Sequence, residues 1–211
     1  MNIAQRRAAV LTAVTAISVF LLTNLVFFKG SCEQVEESFL RLHVIADSDS
    51  AEDQRLKLLV RDRLLESAAD IFDGSIETSR AIEKITPECP RLKACAEAVL
   101  RENGCTDSVA VTVSKEFFNT RVYDELTLPA GEYTALRVVI GEGKGKNWWC
   151  IMFPPLCLPA AESSAAPSRN GAEDAAVLTD GQRSIVENPT KYAVRFKIVE
   201  WYEHIRERLS E

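Results

Sequence analysis

The sequence predicts an α+β domain preceded by an N-terminal hydrophobic helix. Three observations carry that prediction. A run of 21 uncharged residues, Ala8 to Phe28, lies between Arg6-Arg7 and Lys29. Beyond it, some segments alternate apolar and polar residues with the period of a half-buried strand, and others repeat apolar residues at helical spacing. Their order is strand, helices, strands, helix, unlike the strict alternation that builds a parallel α/β sheet. The expected body is a mixed or antiparallel sheet of about five strands packed against three to four helices.

The first element decides where the chain works. As a helix, Ala8 to Phe28 would rise about 31 Å, the thickness of a bilayer's hydrocarbon core. The arginine pair prefers the cytoplasmic side, which places everything after Lys29 outside the membrane. Residues 1–29 therefore read as a signal peptide or a membrane anchor. The arginines and the apolar run suit a secretory signal. Lys29-Gly30-Ser31 is a poor cleavage site, and Lys29-Gly30 a poor lipobox before Cys32, which favours the anchor. Residues 30–37 read as a polar stalk, and 38–211 as the extracytoplasmic domain.

Leu40, Leu42 and Val44 alternate with Arg41 and His43, so residues 39–45 form the first strand. Asp47-Ser48-Asp49-Ser50 makes a turn, and Ser50 with Asp53 resembles a capping box. Leu56, Leu59, Val60, Leu64, Ala68 and Ile71 mark a helix that Gly74 stops, with Arg55, Lys57, Arg61, Asp62 and Arg63 on its exposed side. Helical stretches at 79–85 and 91–103 flank Pro87 and Pro90. Strands follow at 107–115, 117–123, 133–140 and 148–153, with 141–147 as the turn joining the last two. Ala160 to Gly181 has seven alanines and no aromatic residue. It reads as a mobile insertion at about 160–182. A final helix carries the apolar stripe Val194, Ile198, Trp201, Ile205 and Leu209.

Beyond Lys29 lie 22 basic and 31 acidic residues, a formal charge of −9. That balance argues against nucleic acid or an anionic bilayer as a partner through bulk charge, and points to a protein. Six cysteines occur, at 32, 89, 95, 105, 150 and 157. Cys150 and Cys157 flank the turn Phe153-Pro154-Pro155, and could be a disulfide or two buried thiols. No CxxC pair is present, so neither a zinc ribbon nor a thiol oxidoreductase motif is supported.

The acidic run 47–53 lacks the ligand spacing of an EF-hand and reads as a solvated turn with a helix cap. Gly141-Glu142-Gly143-Lys144-Gly145-Lys146 lacks the P-loop spacing and reads as a hairpin turn. His43 and Cys150 are the one conceivable thiol–imidazole couple. Trp148 and Trp149 must point to opposite faces of their strand; an outward tryptophan beside Phe153 either serves as a binding hot spot or is covered by the last helix. The partner-contact candidates are Arg41, His43, Trp148, Trp149 and Phe153. No catalytic, cofactor or metal set emerges, and no small-molecule substrate.

Several literal blocks resemble the stage II sporulation protein R family. They are Arg41 to Ser50 with Glu52-Asp53-Gln54, Leu56-Lys57 and Val60-Arg61-Asp62; Leu128 to Tyr133 with Ala135-Leu136-Arg137; Gly141 to Cys150 with Phe153-Pro154-Pro155-Leu156-Cys157; and Val194 to Lys197 with Glu200. The family commonly has Asn where Asp47 stands, and a shorter linker than 160–181. The resemblance implies a signalling protein of endospore-forming bacteria, not an enzyme. Such proteins are made in the forespore and exported into the space between the septal membranes. There they trigger a membrane-embedded aspartic protease of the mother cell, which removes the pro-sequence of the early sigma factor. No Asp-Ser/Thr-Gly occurs in this chain, in keeping with an activating ligand whose receptor holds the carboxylates. The competing readings are an exported wall hydrolase or thiol-dependent enzyme, and a structural septal protein.

Overall fold

The computed structural model describes residues 3–72, 77–123, 126–154, 178, 180–187, 192, 197–202 and 205. Their order is α1 (Ile3–Glu37), β1 (Leu40–Ile45), α2 (Ala51–Phe72), α3 (Thr78–Ile85), a 3-10 turn (Thr86–Glu88), α4 (Cys89–Glu102), β2 (Val109–Phe118), β3 (Arg121–Tyr123), β4 (Leu126–Leu128), β5 (Gly131–Ile140), β6 (Asn147–Phe153) and α5 (Asp180–Glu187). Residues 192, 197–202 and 205 are also helical. The architecture is α+β, as expected.

The main sheet has four strands in the order β2-β5-β1-β6, and β3 pairs only with β4. Strand β1 is central, parallel to β5 and antiparallel to β6. This corrects two readings. The segment expected as one strand over 117–123 splits, because β2 runs on to Phe118 opposite Gly131 and β3 begins at Arg121. The 141–146 turn is not a hairpin between neighbours, because β5 and β6 lie on either side of β1 and the loop must cross its end.

Alternation along β1 sends Leu40, Leu42 and Val44 into a core shared with Leu56, Val60 and Leu64 of α2, Ile85 of α3, and Leu92, Ala96 and Val99 of α4. The opposite face is also covered, over part of its length. Val35 of α1, Leu128 of β4, and Leu178 with Val186 of α5 pack there on Phe39, Phe118, Tyr133, Ala135 and Ile151. The sheet is thus the middle layer, with a wide helical layer on one side and a narrow cover on the other.

That cover overturns several surface assignments. Residues 30–37 are not a free stalk: α1 continues to Glu37, with Cys32 and Val35 fully buried. Glu36 accepts the backbone N–H of Glu132 at 3.1 Å, tying the helix end to β5. Lys57 and Arg61 are buried, not exposed, because α2 lies under the 141–146 loop and Trp148. Pro90 falls in the first turn of α4, where its missing N–H costs nothing, so that helix starts at Cys89 rather than at 91. Most of 160–182 lies outside the described residues. Its end is structured: Leu178 is buried and α5 begins at Asp180.

The apolar stripe of the last helix also behaves unexpectedly. Val199 is the buried residue, packed with Phe28 and Cys32 of α1 and Ile185 of α5. Ile198, Trp201 and Ile205 are exposed, while Val194 and Leu209 lie outside the described residues. The α1 stretch from Gln5 is long and apolar enough to cross a membrane, and none of its most apolar window is buried in the protein. That fits a signal peptide or an anchor.

Candidate functional site

Two constructions are built on the central strand, one beyond its C-terminal end and one on its face. The first is a clamp between the loop after β1 and the glycine loop after β5. Asp47 Oδ1 accepts the Glu142 N–H at 2.6 Å, and Asp49 Oδ1 accepts the Lys146 N–H at 2.7 Å. The N–H groups of Lys144 and Gly145 donate to the carbonyls of Asp47 and Ala46, each at 2.9 Å. From below, Lys57 Nζ donates to the Lys146 carbonyl at 2.9 Å and to Gln54 Oε1 at 2.6 Å. Burial pushes the Lys57 ammonium below its ordinary pKa.

Asp47, Asp49 and Asp53 are therefore spent on backbone donors and hydroxyls, while Glu52 pairs with Arg55 at 2.7 Å. The Ser50 hydroxyl accepts the Asp53 N–H at 3.0 Å and donates back to Asp53 Oδ2 at 2.8 Å. Ser48 donates to the same oxygen. Those hydroxyls, Ser48 foremost, hold the Asp53 carboxyl below its ordinary pKa. Among the described residues no three His, Cys, Asp or Glu side chains gather to hold a metal.

The second construction is a polar and aromatic patch on the narrowly covered sheet face. Register sets His43 beside Arg137 of β5 and Trp149 of β6. One Glu116 oxygen meets His43 Nδ1 at 2.5 Å, and the other accepts from Arg137 Nε at 3.0 Å. The Trp149 ring lies 5.7 Å from the His43 ring, centroid to centroid, and the Arg121 guanidinium sits over it at 4.2 Å. His43 and Glu116 are largely enclosed, and the Arg137 side chain is 42% exposed at the rim.

The expected contact residues separate into core and surface. Arg41 is completely buried, with its guanidinium 3.8 Å from the Phe118 ring centroid and 5.0 Å from that of Tyr133. It is excluded as a surface contact, because α1, β4 and α5 cover the face it projects from. Phe153 is buried against Phe72 at 5.4 Å and is a core residue. Trp148 is half-buried on the helical side, under the Arg61 guanidinium at 4.3 Å. His43 and Trp149 come together in the patch. Glu116, Arg121 and Arg137 complete it and were not singled out in the sequence. Glu116 shows only as a charge in an alternating strand, and its partners depend on pairing.

Cys150 pairs in register with Leu42 and is buried in the helical-side core, whereas His43 points to the other face. One residue of offset along β6 thus removes the thiol–imidazole couple. Cys157 lies outside the described residues, so its pairing with Cys150 does too.

The sequence model described as stage II sporulation protein R matches residues 36–163. The chain belongs to the stage II sporulation protein R family. A curated relative, the stage II sporulation protein R of Bacillus subtilis (strain 168), is 35% identical over 123 residues. The match takes in 58% of this chain and 55% of the relative, so it spans about half of that protein's length. No solved structure matches. The part shared with the stage II sporulation protein R family runs from the end of α1 through β6, and so contains both the clamp and the patch. The Asp47 side chain acts there through an acceptor oxygen alone, a role the amide oxygen of an Asn fills equally.

Proposed function

We propose that this chain is a sporulation signal that acts by contact: a folded ligand that switches on a membrane-embedded aspartic protease. That protease then cleaves the pro-form of the mother cell's early sigma factor. The observation that carries the reading is the family match over 36–163, the residues that build the sheet and its patch. The chain acts as an exported protein in the space between the septal membranes, either secreted or held by residues 8–28.

The patch supplies the receptor contact. Tryptophan and arginine are the residue types that dominate binding hot spots. Trp149, Arg121 and Arg137 offer both at the rim, over a carboxylate–imidazole pair that fixes their geometry. To activate, the ligand must bind the active state of the protease more tightly than the resting state. Confinement between two close membranes raises the effective concentration, so modest affinity suffices.

Co-expression in a non-sporulating host tests this. Precursor processing is expected only when this chain, the protease and the pro-factor are all present. Processing without this chain, or cleavage of the precursor by the purified chain alone, would overturn it.

A further inference from the structure

Among the described residues, the last helical stretch carries an apolar stripe that stays largely accessible. Ile198, Trp201, Tyr202 and Ile205 follow the i, i+3, i+4, i+7 pattern of one helix face, an arc of about 100°. They are 40%, 68%, 47% and 38% exposed. Val199, on the neighbouring side of the helix, is buried against Phe28 and Cys32 of α1. The stripe is therefore not the face by which this helix joins the protein.

Its position identifies what covers it. Lys29 closes the uncharged run of α1, and its ammonium lies 5.2 Å from the Tyr202 ring centroid. One residue earlier, Phe28 stacks on Tyr192 with ring centroids 5.6 Å apart. The exposed apolar surface of α1 reaches to this level, with Val26 70% and Phe27 74% accessible. The stripe thus continues the apolar band of α1 sideways at the band's end, where a bilayer has its headgroups. Tryptophan and tyrosine concentrate at that depth, and amphipathic helices with basic residues lie in that plane. Lys191, Arg195, Lys197, Arg206 and Arg208 flank the stripe in sequence, whereas 198–205 itself holds Glu200 and Glu203 and no Lys or Arg, so apolar burial rather than bulk charge draws the stripe to lipid.

We propose that Ile198, Trp201, Tyr202 and Ile205 form an interfacial foot in the headgroup region of the bilayer that α1 enters, with these four side chains among the upper acyl chains. The foot and α1 together fix the orientation of the sheet above the membrane.

The test uses the full chain, residues 1–29 retained, in vesicles of phosphatidylcholine and phosphatidylglycerol. In lipid brominated in the upper acyl chain, wild type is expected to lose one tryptophan's share of the emission from its three. Trp201→Phe is expected to lose none, and Trp201 is expected to resist aqueous iodide only when vesicles are present. Equal bromolipid quenching of wild type and W201F, or full iodide access in vesicles, overturns the proposal. Shielding of Trp201 from both quenchers also overturns it, since that means a protein surface covers the stripe.

Discussion

Trp149 and Asp53 are held by contacts that differ in kind. The Trp149 ring contacts the His43 ring and the Arg121 guanidinium, and is only half-buried. Trp149 packs only on the edge of the second core, so Trp149→Ala should lower the thermal midpoint by several degrees while leaving the fold assembled. Processing in the co-expression assay should fall at least tenfold, the kinetic equivalent of about 1.4 kcal/mol lost at a hot spot. An unchanged processing rate with an intact fold would remove Trp149 from the contact surface. Asp53 is a matter of stability. Its carboxyl is depressed in the folded state by Ser48 and then Ser50. Below the ordinary carboxylate value the unfolded chain binds the extra proton, so stability rises with pH there. The contribution is complete above that ordinary value and disappears as pH falls through the lower folded value. Asp53→Asn should flatten this acid-side slope in urea titrations while leaving the slope near neutrality unchanged.

At the scale of elements, the clamp depends on how closely two loops approach. A Cβ on Gly145 would lie 2.2 Å from the Ser48 carbonyl oxygen, a backbone atom that cannot swing aside. Gly141 has a φ of +56°, and a Cβ there would meet Asp47 Oδ1 at 2.1 Å. Gly145→Ala should therefore cost about 1–3 kcal/mol, the usual range for forced overpacking, read as a lower urea midpoint at constant m-value. It should also weaken the seat of Lys57, which bonds the Lys146 carbonyl one residue on. The expected reading of 141–146 as a plain hairpin turn missed this. A glycine-rich loop looks the same in sequence whether it joins adjacent strands or steps over a third. The crossing is decided by β1 inserting between β5 and β6, with its β5 partners 94 residues on, a pairing that no local pattern encodes.

For the whole molecule, the consequential finding is that α1, whose apolar run is long enough to cross a membrane, also belongs to the folded body through its C-terminal end. Cys32 and Val35 are fully buried, and Val35 caps the second sheet face above Phe39 and Tyr133. A chain starting at residue 30 loses Phe28 but retains Val35 on the sheet and Cys32 beside Ile185 and Val199, while one starting at residue 38 loses all of these and exposes Phe39. Full burial of a valine is worth about 1.5–3 kcal/mol, so the shorter chain should have the lower midpoint in chemical unfolding. It should also bind a hydrophobic dye that the longer one does not. Equal stability of the two would mean the helix end only rests on the sheet.

The sequence by itself determined the element types, the apolar helix, the core side of β1 and the family. Each of these is written in local periodicity or in contiguous blocks of residues. Leu40, Leu42 and Val44 announce a core face however the sheet is assembled. Only the tertiary structure decided what lies on the other face. Arg41 reads as solvent-facing because alternation marks a polar position, yet α1, β4 and α5 close over it and aromatic rings receive its charge. The His43–Glu116–Arg137 cluster has the same origin, since residues 73 and 94 positions from His43 meet it only through strand register. The exposed stripe of the last helix was legible as a stripe, while its partner was not. Periodicity fixes which residues share a face, and the packing of distant segments fixes what that face meets.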